Sequence, residues 1–356
     1  MLVLLPTFSG GGAERVALTL VNTLAARGRH VELLVLNQTG PLASLLDPSV
    51  RLHDLDKRRL RTATPSLFCE LRRLRPRIVY STLGYVNLAL LLMRPVLPKG
   101  MRLWIREANL PSSSFGRGRA PSIMRMAYAM LYPCADRVIC SSQRMREELG
   151  IGLGVPAERL CDLANPVDED RIRNLAAGPN SDTRPCRRFI AAGRMTWQKG
   201  FDRLIEMFAA LNDAESRLTL LGDGPLTSEL KMLAARLGVA DQVDFPGFVE
   251  QPWKLISGAD ALLLPSRWEG MPNAALEALA CGVPVIATPE SGGISEVAEQ
   301  AQFGAVTVAE AGADFVAAMR QVTTRRETGL RPSLLPPVYR VDSVIDRFEE
   351  WLDLDV

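Results

Sequence analysis

Short apolar runs and longer amphipathic segments alternate along the chain. The first run, L-V-L-L at 2–5, leads through a glycine-rich turn into residues 13–28, where apolar residues recur at helical spacing and Gly28 ends the segment. Near-continuous apolar strands that alternate with helices are typical of a parallel, doubly wound sheet. The first part of the chain is therefore predicted to be a Rossmann-like α/β domain. Its further strand-like runs lie at 31–36, 51–55, 77–82, 101–109 and 136–142.

A polar stretch rich in proline, glycine and aspartate interrupts this alternation, and we interpret residues 166–187 as a linker. The alternation then restarts, so the sequence predicts a second Rossmann-like domain at 188–337 after a first domain at 1–165. Two such domains are expected to face each other across a cleft bordered by the carboxyl ends of both sheets, where ligands of doubly wound sheets bind. The second set of strand-like runs lies at 188–193, 217–222, 242–247, 261–266, 284–288 and 305–308.

The composition excludes several classes of protein. The chain has 356 residues, of which 47% are hydrophobic, and its longest apolar segment, 86–97, is broken by Arg94 and Pro95, so no spanning helix is expected. The N-terminus lacks a basic region and a cleavage site, so we expect no signal peptide. Six cysteines without a C-x-x-C pair favour reduced thiols in a cytosol. With only two histidines, neither a Ser-His-Asp triad nor a histidine-ligated metal is expected.

Charge is distributed unevenly along the chain. Residues 1–165 hold 23 Lys+Arg against 12 Asp+Glu, and residues 166–356 hold 19 against 28, so balances of +11 and −9 give the net charge of +2. Positive charge concentrates at 57–61 and 71–77. This basic surface is either an ordinary solvated face or one that attracts anionic lipid headgroups or phosphates. Nucleic acid is not expected, because no recognition motif is present.

Two loops that follow predicted strands suit anions. In S-G-G-G-A-E-R at 9–15, Arg15 occupies the third glycine position of a dinucleotide fingerprint, so the loop is either a tight turn or an anion site at a helix N-terminus. In A-A-G-R-M-T-W-Q-K-G-F, Arg194 and Lys199 flank a strand-to-helix turn. An arginine fork and a lysine point charge fit a diphosphate, although surface charge alone would look the same.

The segment S-R-W-E-G-M-P-N-A-A-L-E places two acids, Glu269 and Glu277, eight residues apart around a predicted helix start at Pro272. Free amides of that first turn, near Asn273 and Ala274, would face a bound anion. A carboxylate on each side of a phosphate site suits hydroxyl groups, because one carboxylate accepts from two neighbouring hydroxyls. A nucleotide sugar has this layout of ribose, diphosphate and hexose.

Taken together, the motifs resemble the retaining GT-B glycosyltransferases of family four, and they keep the family's order over almost the whole chain. The variant E-G-M-P-N resembles bacterial members that build lipid-linked oligosaccharides, O-antigens or capsules. The motifs are G-G-A-E-R-V (11–16), N-P-V-D (165–168), G-R-M-T-W-Q-K-G-F-D-R-L-I (193–205), G-D-G-P (222–225), F-P-G-F-V (245–249), S-R-W-E-G-M-P-N-A-A-L-E-A-L-A-C-G-V-P-V-I-A-T (266–288) and S-G-G-I-S-E-V (291–297).

The resemblance implies a role for each matching residue. Arg194 and Lys199 would hold the donor diphosphate, Glu269 would contact the transferred sugar, and Glu277 would bind the ribose hydroxyls. It also implies that a last helix, at 338–356, packs back on the first domain. The other residues implied at the donor site are Gly11, Gly12, Gly193, Phe248, Val249, Gly270, Met271, Asn273 and Ala274.

One feature departs from the family pattern. Many members carry a histidine after the fourth strand of the first domain, where this chain has W-I-R-E-A-N-L-P-S. Arg106, Glu107 and Asn109 are the polar candidates for that place on the acceptor side. Retaining transfer in this family is thought to need no strong protein nucleophile, because the leaving diphosphate can accept the acceptor's proton. No metal and no cofactor are therefore expected.

The expected function is transfer of a hexose or N-acetylhexosamine from a nucleotide diphosphate, by family expectation UDP, to a saccharide acceptor. The resemblance implies a polyprenyl-diphosphate-linked acceptor in cell-surface polysaccharide synthesis. The protein is expected to be cytoplasmic and peripheral to an anionic inner membrane face, although its apolar segments at 86–93 and 123–131 are also compatible with buried helices. The alternatives are a sugar-nucleotide epimerase or hydrolase and a non-catalytic sugar-nucleotide-binding subunit.

Overall fold

The computed structural model describes residues 1–114, 120–178, 186–324 and 329–354. These residues form two compact units: the first holds Met1–Pro166 together with the chain from Val341 onward, and the second holds Val167–Arg340. Each unit is built on one parallel sheet in which helices connect the strands, and this confirms the predicted α/β class. None of the helices in the described ranges combines the length and the apolar composition that a membrane span requires.

The first unit has a seven-stranded sheet in the order β3-β2-β1-β4-β5-β6-β7. The order reverses between β1 and β4, which is the switch point where doubly wound sheets bind ligands. The strands are β1 (Leu2–Leu5), β2 (Glu32–Val35), β3 (Arg51–Asp54), β4 (Ile78–Ser81), β5 (Arg102–Arg106), β6 (Arg137–Cys140) and β7 (Leu160–Asp162).

Helices cover both faces of this sheet, which explains why its strands are nearly continuous apolar runs. Alternate residues of β1 enter opposite cores: Leu2 and Leu4 face one, and Val3 and Leu5 face the other. The helices from this part of the chain are α1 (Gly12–Ala26), α2 (Leu60–Leu74), α3 (Gly84–Met93), α4 (Pro111–Ser114), α5 (Ala120–Leu131) and α6 (Gln143–Gly150).

The second unit has a six-stranded sheet in the order β10-β9-β8-β11-β12-β13, with its reversal between β8 and β11. The strands are β8 (Arg188–Ala192), β9 (Arg217–Leu221), β10 (Val243–Gly247), β11 (Ala261–Leu264), β12 (Val285–Ala287) and β13 (Val306–Val308). The helices are α7 (Glu169–Ala176), α8 (Phe201–Leu211), α9 (Thr227–Arg236), α10 (Trp253–Ser257), α11 (Asn273–Ala280), α12 (Ile294–Gln300) and α13 (Ala313–Gln321).

The stretch interpreted as a linker, 166–187, contains helix α7, and its residues 179–185 lie outside the described residues. Asp168 caps this helix by accepting a 3.0 Å hydrogen bond from the Arg171 amide. Ile172 and Ala176 are buried, and the Arg173 guanidinium donates a 2.9 Å bond to the carbonyl of Ala280 at the end of α11. The helix therefore packs as part of the second unit.

The last helix, α14 (Val341–Leu354), packs against α1 in the first unit. Phe348 is fully buried between Tyr80 and Trp104, with ring centroids 5.7 and 5.4 Å away in edge-on geometry. Two arginines that follow α1 also pair with acids on α14. Arg27 bonds Asp342, Asp346 and Glu349, and Arg29 bonds Glu349 and Asp353.

Candidate active site

The predicted donor residues gather at the switch point of the second sheet. The loop after β8 carries Arg194 and Lys199, and the loop after the neighbouring strand β11 carries Glu269. The Arg267 amide donates a 2.7 Å hydrogen bond to the Gln198 carbonyl, and Gln198 Nε2 donates a 3.0 Å bond to the Trp268 carbonyl. These two hydrogen bonds join the loop after β8 to the loop after β11.

Glycines let these loops approach backbone to backbone. Gly200 has φ +67°, and a Cβ there would overlap the carbonyl oxygen of Pro265. Gly222, after β9, has φ +126°, and a Cβ there would overlap the carbonyl oxygen of Gly193. Both positions require glycine for its conformation and for the lack of a side chain.

Glu269 is held from several sides and is only 5% exposed. Its carboxylate forms an ion pair with Lys199 and accepts a 2.8 Å hydrogen bond from Ser266 Oγ. Arg203, on the first turn of α8, donates 2.7 Å bonds to the carbonyls of Pro265 and Ser266 and so fixes the strand end that carries Glu269. A carboxylate held in a fixed orientation can accept a hydrogen bond from a ligand hydroxyl in a defined geometry.

Arg194 differs from Lys199 in its surroundings. It is exposed, and its side chain makes no hydrogen bond or ion pair with any residue that the structure describes. Beside it, the Arg267 guanidinium stacks 3.3 Å over the ring centroid of Trp197 and forms two 2.7 Å bonds to Asp202. Of the cations in the loop after β8, Arg194 is therefore the one available to an incoming anion.

Glu277 lies half-buried on α11, the helix that starts at Asn273 after Pro272. Its carboxylate accepts a 2.9 Å hydrogen bond from the indole Nε1 of Trp253, a side chain only 5% exposed. Gly282 ends this segment with φ +73°. Glu277 is thus held by a buried partner that the sequence did not indicate.

The remaining predicted donor residues of the second unit lie on loops that follow strands and on the first turn of α11. Phe248 is 47% exposed and follows β10, while Met271 is buried. The Gly270 carbonyl accepts a 2.9 Å bond from the Gly293 amide, which ties the loop after β11 to the start of α12. Of the others, Gly270 is buried and Gly193, Val249, Asn273 and Ala274 are partly exposed.

In the first unit, Gly11 and Gly12 precede and begin α1, where an acid closes over the loop. Glu14 accepts a 2.6 Å hydrogen bond from Ser9 Oγ, and a Cβ on Gly11 would overlap its carboxylate. Glu14 is the third residue of the helix, and its side chain reaches back over the helix start. Its carboxylate therefore lies at the helix N-terminus, which is one of the two places where the sequence suggested that an anion binds. The role of both glycines stays a prediction.

The predicted acceptor-side residues lie mostly inside the first unit. Arg106 is 4% exposed and Glu107 is 2% exposed, whereas Asn109 is partly exposed. Arg106 donates to Asn165 Oδ1 and, at 3.4 Å, to the Tyr80 hydroxyl. Strand alternation places the side chains of Arg106 and Glu107 in the two covered faces of the sheet.

Four residues that hold the acids in place were not predicted from the sequence: Arg203, Gln198, Ser266 and Trp253. Their motif positions were visible, since Gln198 and Arg203 lie in the same G-R-M-T-W-Q-K-G-F-D-R stretch as the predicted cations. Trp253, Gln198 and Arg203 contact residues that are 24 to 71 positions away in the sequence. Ser266, in contrast, lies only three residues from Glu269. Only the folded chain brings the distant groups together.

Each half of the chain matches a glycosyltransferase family model. Residues 10–171 match the family model Glycosyltransferase Family 4, and residues 183–332 match the model Glycosyl transferases group 1. An uncharacterised glycosyltransferase of Methanocaldococcus jannaschii is 29% identical over 55% of this chain, and the match spans about half (49%) of that relative's length.

A second relative matches over more of its length. It is N-acetylgalactosamine-N,N'-diacetylbacillosaminyl-diphospho-undecaprenol 4-alpha-N-acetylgalactosaminyltransferase of Campylobacter jejuni, 26% identical over 84% of this chain and 83% of that protein. The crystal structure of Anabaena HepE with UDP and glucose superposes with a TM-score of 0.78 at 18% identity over 99% of both chains, a likeness that shows the fold. The matched models span most of the chain, and together with this fold they place the protein among the GT-B glycosyltransferases.

Proposed function

We propose that the protein is a retaining, metal-independent glycosyltransferase that moves a hexose or N-acetylhexosamine from a UDP-sugar to a polyprenyl-diphosphate-linked saccharide. The observation that carries this proposal is the joined pair of loops at the switch point of the second sheet, which presents Arg194, Lys199 and Glu269 together. The Campylobacter relative, which acts on an undecaprenol-diphosphate-linked saccharide by its name, supports the class of acceptor. The UDP bound to HepE supports the choice of base.

The donor diphosphate would bind Arg194 first. This side chain is exposed and has no partner among the described residues, so binding breaks no existing ion pair. Lys199 is already paired with Glu269, and it would bridge the carboxylate and a phosphate oxygen. Amides at the start of α11 would add hydrogen bonds to the same anion.

The two acids would bind hydroxyl groups on either side of the diphosphate. Glu269 is fixed by Ser266 and Lys199 and would accept from the transferred sugar, and Glu277 is fixed by Trp253 and would accept from the ribose. Each acid already has at least one contact that sets its direction, so less rotamer entropy is lost on binding.

Transfer with retention would place the acceptor hydroxyl on the face of the sugar that the diphosphate leaves. The bond from the anomeric carbon to the diphosphate oxygen breaks, the bond to the acceptor oxygen forms, and the acceptor's proton goes to the departing diphosphate. Charge grows on the diphosphate during this step, so Arg194, Lys199 and the helix amides would stabilise the transition state more than the ground state.

The proposal is tested by incubating the protein with a UDP-sugar and a polyprenyl-diphosphate-linked saccharide and analysing the products. The expected product is an extended lipid-linked saccharide with the donor's anomeric configuration, with little turnover when acceptor is left out. Glu269→Ala should lose turnover and largely keep UDP binding. Turnover without acceptor would instead indicate an epimerase or hydrolase, and donor binding without turnover would indicate a binding subunit.

Peripheral membrane contact is part of the proposal and rests on one face of the first unit. Helices α2, α3 and α5 contribute to the same core, so they cover the same face of the sheet. Their outward sides combine apolar and basic residues, a combination that suits an anionic bilayer. The exposed apolar side chains are Leu92, Ile123, Met126 and Met130, and the exposed basic ones on and around α2 are Arg58, Arg59, Arg61, Arg72, Arg73 and Arg75.

Flotation with vesicles tests this contact. The protein should float with anionic vesicles at low salt and be released at high salt, because attraction between exposed charges is screened. Replacing Ile123 and Met130 by aspartate should reduce flotation, whereas Met232→Asp, on an equally exposed methionine of α9, should not. Equal flotation with neutral and anionic vesicles would remove the membrane claim.

A further inference from the structure

Glu107 is a buried acid that directly follows β5, on a face of the first sheet that helices cover. Strand alternation directs Leu103, Ile105 and Glu107 to the face covered by α3 and α5, and directs Arg106 to the opposite face. Glu107 is 2% exposed and forms no salt bridge with any residue in the described part of the chain. A carboxyl group in such a place is costly to ionise.

Uncharged groups surround this carboxyl. Asn87 on α3 donates from Nδ2 at 3.1 Å to Glu107 Oε1 and at 2.9 Å to the Arg106 carbonyl. The hydroxyl of Tyr132 donates to Glu107 Oε1, and Tyr128 on α5 also hydrogen-bonds the carboxyl. The two tyrosine rings are stacked, with centroids 4.4 Å apart and planes 16° apart.

Burial decides the charge of this cluster. Desolvation raises the pKa of Glu107 from its ordinary 4.5 to about 8, against the opposing effect of the hydrogen bonds from Asn87 and Tyr128. Asn87 Oδ1 is a buried acceptor that has no partner among the described residues. A neutral carboxyl has an O–H to donate, whereas a carboxylate has none.

The cluster also touches the start of α3. A Cβ on Gly84, the first residue of that helix, would overlap the Tyr128 hydroxyl and lie 3.2 Å from Glu107 Oε1. The next residue, Tyr85, is 51% exposed. The position of Glu107 and its two tyrosines therefore sets where α3 begins after β4, beside the switch point of the first sheet.

We propose that Glu107 is a positioning residue that, as a neutral acid, locks the start of α3 onto α5 and so shapes the acceptor side of the first unit. This proposal rests on the proposed function, because it assigns the acceptor to this edge of the first sheet. Loss of the proton puts an uncompensated negative charge among Asn87, Tyr128 and Tyr132, and the first turn of α3 must shift to hydrate it.

The described groups that face Glu107 are one amide and two phenols. From α3 it meets the Asn87 amide, and from α5 and the turn after it the phenols of Tyr128 and Tyr132. Free tyrosine side chains titrate at about pH 10. Arg106, the neighbouring charged residue, bonds Asn165 on the other face of the sheet.

Stability against pH tests the protonation without any substrate. Because the pKa of Glu107 is raised in the folded state, the folded protein binds more protons than the unfolded one between the two pKa values. Its contribution is full below pH 4.5 and is lost as pH rises to about 8. Glu107→Gln mimics the neutral acid, so its thermal midpoint should fall less between pH 6 and 9 than that of wild type. The exposed Glu147→Gln on α6 should follow wild type, and an equal fall in Glu107→Gln would overturn the proposal.

Transfer kinetics test the positioning role. Between pH 7 and 9 the acceptor KM of wild type should rise about tenfold, following the fraction of neutral Glu107, while donor KM stays within about twofold. Glu107→Gln should keep a low acceptor KM across this range. An alkaline rise retained in Glu107→Gln, or a folded Glu107→Gln without transfer at pH 7, would overturn the proposal. Absence of transfer in wild type at every pH would instead refute the proposed function, and the stability comparison would still decide the protonation of Glu107.

Discussion

Breaking the ion pair between Lys199 and Glu269 should have unequal effects depending on which partner is removed. The Glu269 side chain is 7% exposed and the Lys199 side chain is 21% exposed. After Lys199→Met, Glu269 keeps the 2.8 Å bond from Ser266 and a long 3.5 Å contact with Gln198, but no other cation of the described residues pairs with its charge. After Glu269→Gln, the lysine can still reach water, and the new amide can still accept from Ser266.

The expected magnitudes follow from this difference in burial. Removing one partner of a fully buried pair costs about 3–5 kcal/mol, and partial exposure of Lys199 lowers the expected cost of Lys199→Met to about 2–3 kcal/mol. Glu269→Gln should cost about 1 kcal/mol. The double variant removes the uncompensated charge, so it should be more stable than Lys199→Met alone.

Calorimetric melting of the four proteins without nucleotide checks this order. A cost of 1 kcal/mol shifts the midpoint of a domain of this size by about 2–4 °C, so Lys199→Met should melt about 4–12 °C lower than wild type. Glu269→Gln should fall by about 2–4 °C. A double variant that melts lower than Lys199→Met, with additive losses, would refute the reasoning that Glu269 depends on this cation.

Further expectations concern the helix that completes the first unit and the partner of the second acid. Phe348→Ala should destabilise the protein by about 3–5 kcal/mol in thermal unfolding, because Phe348 is fully buried against Tyr80 and Trp104, and a loss under about 1 kcal/mol would contradict the observed packing. Trp253→Phe keeps an aromatic ring but removes the donor to Glu277, so donor KM should rise about tenfold with kcat within about twofold, and an unchanged KM would show that Glu277 needs no such support.

The sheets of both units could be predicted from the sequence because their strands are buried on both faces. Runs such as A-L-L-L at 261–264 and L-V-L-L at 2–5 are apolar at every position, and both are strands in the structure. Helix α7 was not predicted, because it has one narrow apolar side formed by Ile172 and Ala176 within a polar stretch. A short polar helix is visible only through the surface on which it packs.

The sequence indicated which residues form the candidate site, but it did not indicate most of the contacts that these residues make. Arg194, Lys199 and Glu269 follow the ends of adjacent parallel strands, and such ends lie together at one edge of a sheet. The burial of Glu107 could not be predicted, because it depends on Asn87 and Tyr132, which are 20 and 25 positions away. Sequence distance hides which polar side chains a covering helix will enclose.

Calorimetric titration of wild type and Arg194→Ala with UDP, GDP and ADP measures whether the joined loops of the second sheet bind the donor diphosphate. Wild type should bind UDP, and Arg194→Ala should bind it about tenfold to a hundredfold more weakly, because a charge-assisted hydrogen bond to phosphate is lost. Arg236→Ala, on the exposed end of α9, should bind like wild type. Binding of none of the nucleotides by wild type, or equal affinity in Arg194→Ala, would contradict the donor site described for the second sheet.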